Sequence, residues 1–172
     1  TGNTFAYDEL EQQLTGMYRA EAACVFNSGY HANIGIISAL SDRHDVVFSD
    51  KLNHASIVDG LKLADADFFR YPHLDYDHLE QLLKKHQGSH RRMFILSESV
   101  FSMDGDIADL QTLLELKKKY DAFLIVDEAH VHIGSGGDPK EWRENIDRQL
   151  GYVEQYLPDV KIVNLGGGFK EA

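Results

Sequence analysis

The sequence predicts an α/β domain, a mainly parallel sheet of about five strands with helices on both faces, three layers in all. Two observations lead there. Short runs rich in Val, Ile and Phe alternate along the chain with longer segments whose apolar residues recur at helical spacing. Compact polar motifs then fall where the apolar runs end, the edge at which open parallel sheets gather their ligands. The length, 172 residues with 43% hydrophobic content, suits a single domain over residues 1–172 rather than two.

The elements follow in order. Leu10, Leu14 and Met17 form an apolar stripe that predicts a first helix facing the core. A second helix is entered through Asn27-Ser28-Gly29-Tyr30 and continues through His31-Ala32-Asn33. Strands are expected at Val46-Val47-Phe48, Asp67 to Tyr71, Met93 to Ser97, Phe123 to Asp127 and Lys161 to Leu165, the fourth with a continuation through Val131-His132-Ile133. Between them lie helices marked by Ile57, Val58 and Leu61, by Leu79, Leu82 and Leu83, and by Leu110, Leu113 and Leu114. The last of these ends in Lys117-Lys118-Lys119, read as a solvated helix end near the negative pole of the dipole. A final helix carries its own punctuation. Asp138 is its N-cap, Pro139 its first residue and Glu141 the reciprocal capping partner; Trp142, Ile146, Leu150, Val153 and Leu157 make its core face, and Pro158 stops it.

Charge narrows the function classes. With 28 acidic and 17 basic residues the chain carries a formal charge of -11, which repels phosphate backbones and anionic lipid, so neither nucleic acid nor membrane is an expected partner. Cys24 is the single cysteine and sits among Ala22, Ala23, Val25 and Phe26, which predicts a buried, inert thiol and a reducing, cytoplasmic setting. Thr1-Gly2-Asn3 reads neither as a signal peptide nor as an initiator methionine, and suggests an excised piece.

The polar motifs carry the chemistry. Ser28, Gly29 and Tyr30 open a helix, where free backbone N–H groups and a hydroxyl suit an anion such as a phosphate. Asn53-His54-Ala55-Ser56 opens another. Ser97-Glu98-Ser99-Val100-Phe101-Ser102-Met103-Asp104-Gly105-Asp106 follows the third strand, and Val126-Asp127-Glu128-Ala129-His130 ends the fourth. A carboxylate such as Asp127, leaving the buried run Phe123-Leu124-Ile125-Val126, calls for a cationic or protonated partner. Taken singly, each has a plain structural reading as well: His54 and Ser102 as capping or surface residues, Asp127 as a structural acid. Their joint order is what points to a site.

In that order and spacing, from Gly2-Asn3-Thr4 to His130, the motifs resemble the α-oxoamine synthase family of fold-type I pyridoxal 5'-phosphate (PLP) enzymes. The resemblance implies that backbone at Ser28, Gly29 and Tyr30 lies by the cofactor and that the His54 ring stacks on the pyridine. It also implies that Ser102 lies near the cofactor, that Asp127 pairs with the protonated pyridine nitrogen, and that His130 bonds the phenolic oxygen. A carboxylate at that nitrogen keeps the ring an acceptor of electrons. Tyr7 departs from the pattern, which has a histidine there.

Beyond His130 the motifs change. His132-Ile133-Gly134-Ser135 and Gly166-Gly167-Gly168 are similar to those of alanine-racemase-like fold-type III PLP decarboxylases of the diaminopimelate decarboxylase kind. There the resemblance implies that His132 stacks on the ring, Ser135 lies near the phosphate, and Gly166, Gly167 and Gly168 cradle it, glycines permitting close backbone approach to an anion. The two resemblances meet near residues 130 and 131, which suggests a chimeric or engineered protein, catalytically incomplete yet able to bind PLP or phosphate. The Schiff-base lysine of either family has no recognisable counterpart. Lys170, beside the glycine run, is a candidate, and equally a surface lysine. Two alternatives stand beside the chimera: a PLP-dependent acyl-CoA:amino acid C-acyltransferase of the α-oxoamine synthase type, and a metal-binding protein using Glu128, His130 and His132, which alternate along one face of an extended strand.

Overall fold

The structure is a computed structural model and describes residues 4–18, 20–101, 105–128 and 162–165. Five strands, β1 (Val46–Asp50), β2 (Asp67–Tyr71), β3 (Met93–Glu98), β4 (Phe123–Glu128) and β5 (Ile162–Leu165), form one sheet in the order β2-β1-β3-β4-β5. Every pairing is parallel. Helices α1 (Phe5–Tyr18), α2 (Gly29–Leu40), α3 (Ala55–Leu63), α4 (Tyr76–His86) and α5 (Leu110–Tyr120) complete the described elements. The α/β class and the five strands expected from the sequence are those observed.

The strands alternate in which face they serve, as a two-residue side-chain period requires. Val46, Phe48, Met93, Ile95, Leu124 and Val126 pack with Leu79 and Leu83 of α4 and Leu110, Leu113 and Leu114 of α5. Val47, Phe94, Leu96 and Ile125 turn the other way and meet Ile37 of α2 and Ile57 and Leu61 of α3. The central strands β1 and β3 are thus buried on both faces, which is why they read as nearly unbroken apolar runs, whereas the edge strand β2 is largely exposed.

The helix starts are fixed by side chains that accept orphan N–H groups: Ser28 from His31, His54 from Ser56, Asp75 from His78 and Asp109 from Thr112. Helix α5 stops at Asp121, whose φ of 51° is left-handed. Among the described residues no helix is long and apolar enough to cross a membrane.

Two expectations change and a third gains a contact. The α1 stripe does not face the core, since Leu10 is 43% exposed; α2 and α3 already cover one sheet face and α4 and α5 the other. Cys24 is exposed rather than buried, because its apolar neighbours belong to an irregular connection between α1 and α2 and to no strand or helix. The lysine triplet does form the last turn of α5, but Lys119 Nζ also lies 2.5 Å from Glu80 Oε1 on α4 and ties the two helices together. The expected final helix from Asp138 to Leu157 and the continuation of β4 lie outside the described residues.

Candidate active site

The strand order reverses between β1 and β3: from β1 the chain crosses to β2 on one side and returns to β3 on the other. Such a switch point leaves a crevice beyond the carboxyl ends of the strands, where ligands of open α/β sheets bind. Polar residues crowd this edge although the strand interiors are apolar. Asp50, Asn53, Ser56, Glu98, Ser99 and Asp127 are all buried there.

Asp127 is the centre of the group. It pairs in register with Glu98 across β4 and β3, its backbone carbonyl accepts from the Ser99 N–H at 2.9 Å, and only 3% of its surface is exposed. Its place after Ile125 on the same strand face turns it toward α2 and α3. There Asn33 Nδ2 donates to Asp127 Oδ2 at 2.7 Å. The second carboxylate oxygen, Oδ1, is buried and receives no hydrogen bond among the described residues. Burial pushes the Asp127 carboxyl up to about 6, against the pull of the Asn33 hydrogen bond and of His54. A buried acid with one oxygen unserved is an acceptor awaiting a cationic donor.

The amide that holds Asp127 reaches further. Asn33 Nδ2 also donates to Ser56 Oγ at 2.9 Å, and Ser56 Oγ lies 2.7 Å from His54 Nδ1. The Ser56 backbone N–H donates to the same ring nitrogen at 3.2 Å. A backbone N–H can only donate, so Nδ1 accepts and the neutral imidazole carries its proton on Nε2. The backbone N–H of His54 donates in turn to Glu98 Oε1. Asn53, one residue earlier, is buried and donates to Ser49 Oγ and to the Leu96 carbonyl, both at 2.9 Å, pinning the entry to α3 between β1 and β3. Helices α2 and α3 can cross closely enough for these contacts because of Gly60, where a Cβ would come within 3.0 Å of the Asn33 carbonyl.

Of the residues singled out in the sequence, His54 and Asp127 are thus drawn into one hydrogen-bonded group. Ser28, Gly29 and Tyr30 form the start of α2, about one helical turn before Asn33. The Ser28 hydroxyl is already engaged there, accepting from the His31 N–H at 3.2 Å and touching His31 Nδ1 at 2.8 Å. The Tyr30 hydroxyl donates to Asp59 Oδ2 of α3 at 3.1 Å. Tyr7 lies on α1, 36% exposed. Ser102, His130, His132, Ser135, Gly166, Gly167, Gly168 and Lys170 lie outside the described residues. Glu128 is the last residue of β4, and among the described residues no three His, Cys, Asp or Glu side chains are grouped to hold a metal.

Asn33, Ser56 and Glu98 were not singled out individually. Asn33 did leave a signal: it falls four residues from Gly29 and four from Ile37, a polar side chain on the buried face of a helix.

Comparison with known proteins fits this geometry. A family model described as aminotransferase class I and II matches residues 1–158. The 8-amino-7-oxononanoate synthase of Chlorobaculum parvum is 61% identical over 130 residues, covering 76% of this chain and 33% of the relative. A putative 8-amino-7-oxononanoate synthase of Bacillus cereus is 56% identical over 163 residues, covering 91% of this chain and 41% of the relative. Serine palmitoyltransferase from S. paucimobilis, solved with PLP and myriocin bound, superposes with a TM-score of 0.71 at 37% identity, over 75% of this chain and 33% of that one. The chain spans about a third of the length of the first of these relatives.

These matches give the expectation of a chimera no support. The family model runs through residue 158 and the Bacillus relative is aligned over 91% of this chain, so both pass residue 130 within one family. Short glycine-rich runs such as Gly166-Gly167-Gly168 recur wherever backbone must approach an anion, so they identify a fold poorly on their own. With the parallel sheet, the buried Asp127 and the motifs up to residue 128 all agreeing, the chain belongs to the class I and II aminotransferase family of PLP enzymes, and its relatives there are α-oxoamine synthases.

Proposed function

We propose that this chain forms the cofactor-ring-binding part of a PLP-dependent acyltransferase of the α-oxoamine synthase type, which joins an acyl-CoA to an amino acid. The observation that carries the reading is the buried, unserved Oδ1 of Asp127 at the switch point of the sheet. A protonated pyridine nitrogen is the donor that this oxygen lacks, so the residues present fit PLP. His54, half-buried at the head of α3, supplies the flat ring to lie against the pyridine, and the α2 start at Ser28, Gly29 and Tyr30 supplies backbone donors for a phosphate. By their place in the motifs, Ser102 is assigned to the neighbourhood of the same cofactor and His130 to its phenolic oxygen.

When bound, PLP supplies an electron sink for a carbanion formed on the amino acid. The protein's own contribution is electrostatic and positional. Asp127 holds a proton at the ring nitrogen: ionised, it stabilises the pyridinium, and burial makes that pairing stronger than it is in water. The His54 ring, locked as the Nε2–H tautomer by Ser56, excludes water from one face. Among the described residues the nearby carboxylate Glu98 is turned to the His54 backbone.

The test is a calorimetric titration of the chain with PLP, followed by the Asp127→Ala and His54→Ala variants. Saturable binding that each substitution weakens about tenfold or more is the expected result. A chain that takes up no PLP, or variants that bind as the unsubstituted protein does, overturns the reading.

A further inference from the structure

Asn33 is 4% exposed and sits mid-helix on the apolar face of α2. Packing alone does not call for an amide there, since burying one without partners costs free energy and an aliphatic side chain would fill the space. What an amide adds is two protons on one nitrogen, and both are used: Nδ2 donates one to Asp127 Oδ2, 2.7 Å away, and the other to Ser56 Oγ, 2.9 Å away. Ser56 is fully buried. Its oxygen accepts from Asn33, so its own proton is left to point at His54 Nδ1, 2.7 Å away. The order Asp127, Asn33, Ser56, His54 spans β4, α2 and α3. It is not a proton relay, because the carboxamide donates at both ends and has no titratable proton to pass on. It fixes positions.

We propose that Asn33 is a positioning residue that sets both ring anchors at once, the Asp127 carboxylate at the pyridine nitrogen directly and the His54 ring through Ser56. This rests on the functional reading above, in which Asp127 and His54 are those anchors. Its consequence is a division of labour. Asn33 governs the nitrogen contact and the ring contact together, whereas Ser56 governs only the ring contact.

That division is measurable with two ligands, PLP and its 1-deaza analogue, in which carbon replaces the ring nitrogen. For Asn33→Ala the expected result is a loss of about tenfold or more in PLP affinity and a smaller loss for the analogue, so that the preference for PLP shrinks. For Ser56→Ala both affinities fall together and the preference is kept. Nitrogen NMR of the His54 imidazole, recorded without any ligand, gives an independent reading: the unsubstituted chain shows the Nε2–H tautomer, and both variants show a mixture. An unchanged PLP-to-analogue preference in a folded Asn33→Ala protein overturns the proposal. So does an unchanged His54 tautomer in Ser56→Ala, which decides the matter if Asn33→Ala fails to fold. Failure of the unsubstituted chain to bind PLP sinks the functional reading instead, and the ligand-free tautomer then still shows whether Asn33 and Ser56 hold His54.

Discussion

Arg92 Nη2 lies 2.7 Å from Asp45 Oδ2, at the edge of the sheet opposite the candidate site. Asp45 is wholly buried and accepts from Arg91 Nη2 as well, at 2.9 Å, and from the Asp42 backbone N–H at 3.0 Å. Arg92 also donates to the Leu40 carbonyl at the end of α2, so one carboxylate joins α2, β1 and the approach to β3. Replacing it with Asn leaves two guanidinium groups facing a neutral amide. Both arginines are partly in water, which lessens the cost, and we expect Asp45→Asn to lower unfolding stability by about 2 kcal/mol or more, read from urea denaturation. Burial opposes the charge on Asp45, but the two arginines and the Asp42 N–H outweigh it and hold the carboxyl well below its ordinary value of 3.8. The contribution is therefore complete above that value and is lost as pH falls toward the folded one. The substituted protein should show a weaker acid transition in this range.

Asp127 has the opposite sign. Its carboxyl is raised from 3.8 to about 6, chiefly by burial, so between those values the folded chain binds a proton that the unfolded chain does not. Without cofactor, this group adds stability as pH falls through that window and costs up to about 3 kcal/mol above it. Asp127→Asn keeps an oxygen for Asn33 and removes the charge. At pH 7 the ligand-free variant should melt a few degrees higher than the unsubstituted chain, roughly 2–6 °C, while binding PLP at least about tenfold more weakly. Calorimetric melts and PLP titrations check both. A variant that melts lower and binds equally well would show that Asp127 serves the fold and not a cofactor.

The central strands were legible because strands buried on both faces leave continuous apolar runs, so Met93 to Ser97 can be delimited by its polar neighbours alone, whereas the exposed edge strand Asp67 to Tyr71 was read from its aromatic residues. The reading of β1 fell short at Ser49 and Asp50 for the converse reason. The carboxyl end of a strand at a ligand crevice is polar, and polarity reads as loop. Asp127 and His54 were visible through the order of their motifs. Asn33 was not, because its partner is 94 residues away, and no local pattern says which strand end a helix face will meet. The seam read at His130 rested in part on a short glycine motif: Gly166-Gly167-Gly168 states what backbone can do near an anion and leaves open which fold presents it.

Gly60 makes the relation between α2 and α3 testable without touching a polar group. A Cβ there would stand 3.0 Å from the Asn33 carbonyl and 3.0 Å from Ile37 Cδ1. The isoleucine can yield; the carbonyl belongs to the helix backbone and cannot move alone. Gly60→Ala gains helix propensity of up to about 1 kcal/mol, yet overpacking of about 1–3 kcal/mol opposes it. The separation of the helices should therefore be felt more in the site than in the melt. We expect little change in melting temperature and a clear change in the His54 nitrogen spectrum, since moving α3 away from α2 stretches the contact between Asn33 and Ser56. A normal His54 spectrum with a large loss of stability would place the effect of Gly60 in packing only.

His73 couples the second strand to the segment after the third. Its Nδ1 lies 2.9 Å from Asp50 Oδ1 and its Nε2 3.2 Å from Asp106 Oδ2, and the edge of the ring meets Phe101 at 4.4 Å between centroids. Phe101 and Asp106 are themselves joined, the Phe101 N–H donating to the Asp106 carbonyl at 2.8 Å, and Val100 bridges to Ile107. The imidazolium therefore clips Phe101 and Asp106 to the end of β1. Burial works against its charge, but Asp50 and Asp106 prevail and the His73 pKa is raised above 6.5. A raised base stabilises the fold below its unfolded value and loses that contribution as pH climbs through the folded one. Amide hydrogen exchange at Phe101 and Ala108 should accelerate as pH rises through that range, beyond the intrinsic increase, and His73→Gln should show the faster exchange already at pH 6. Equal protection in the two proteins at pH 6 would mean that the segment is held by its backbone bonds alone.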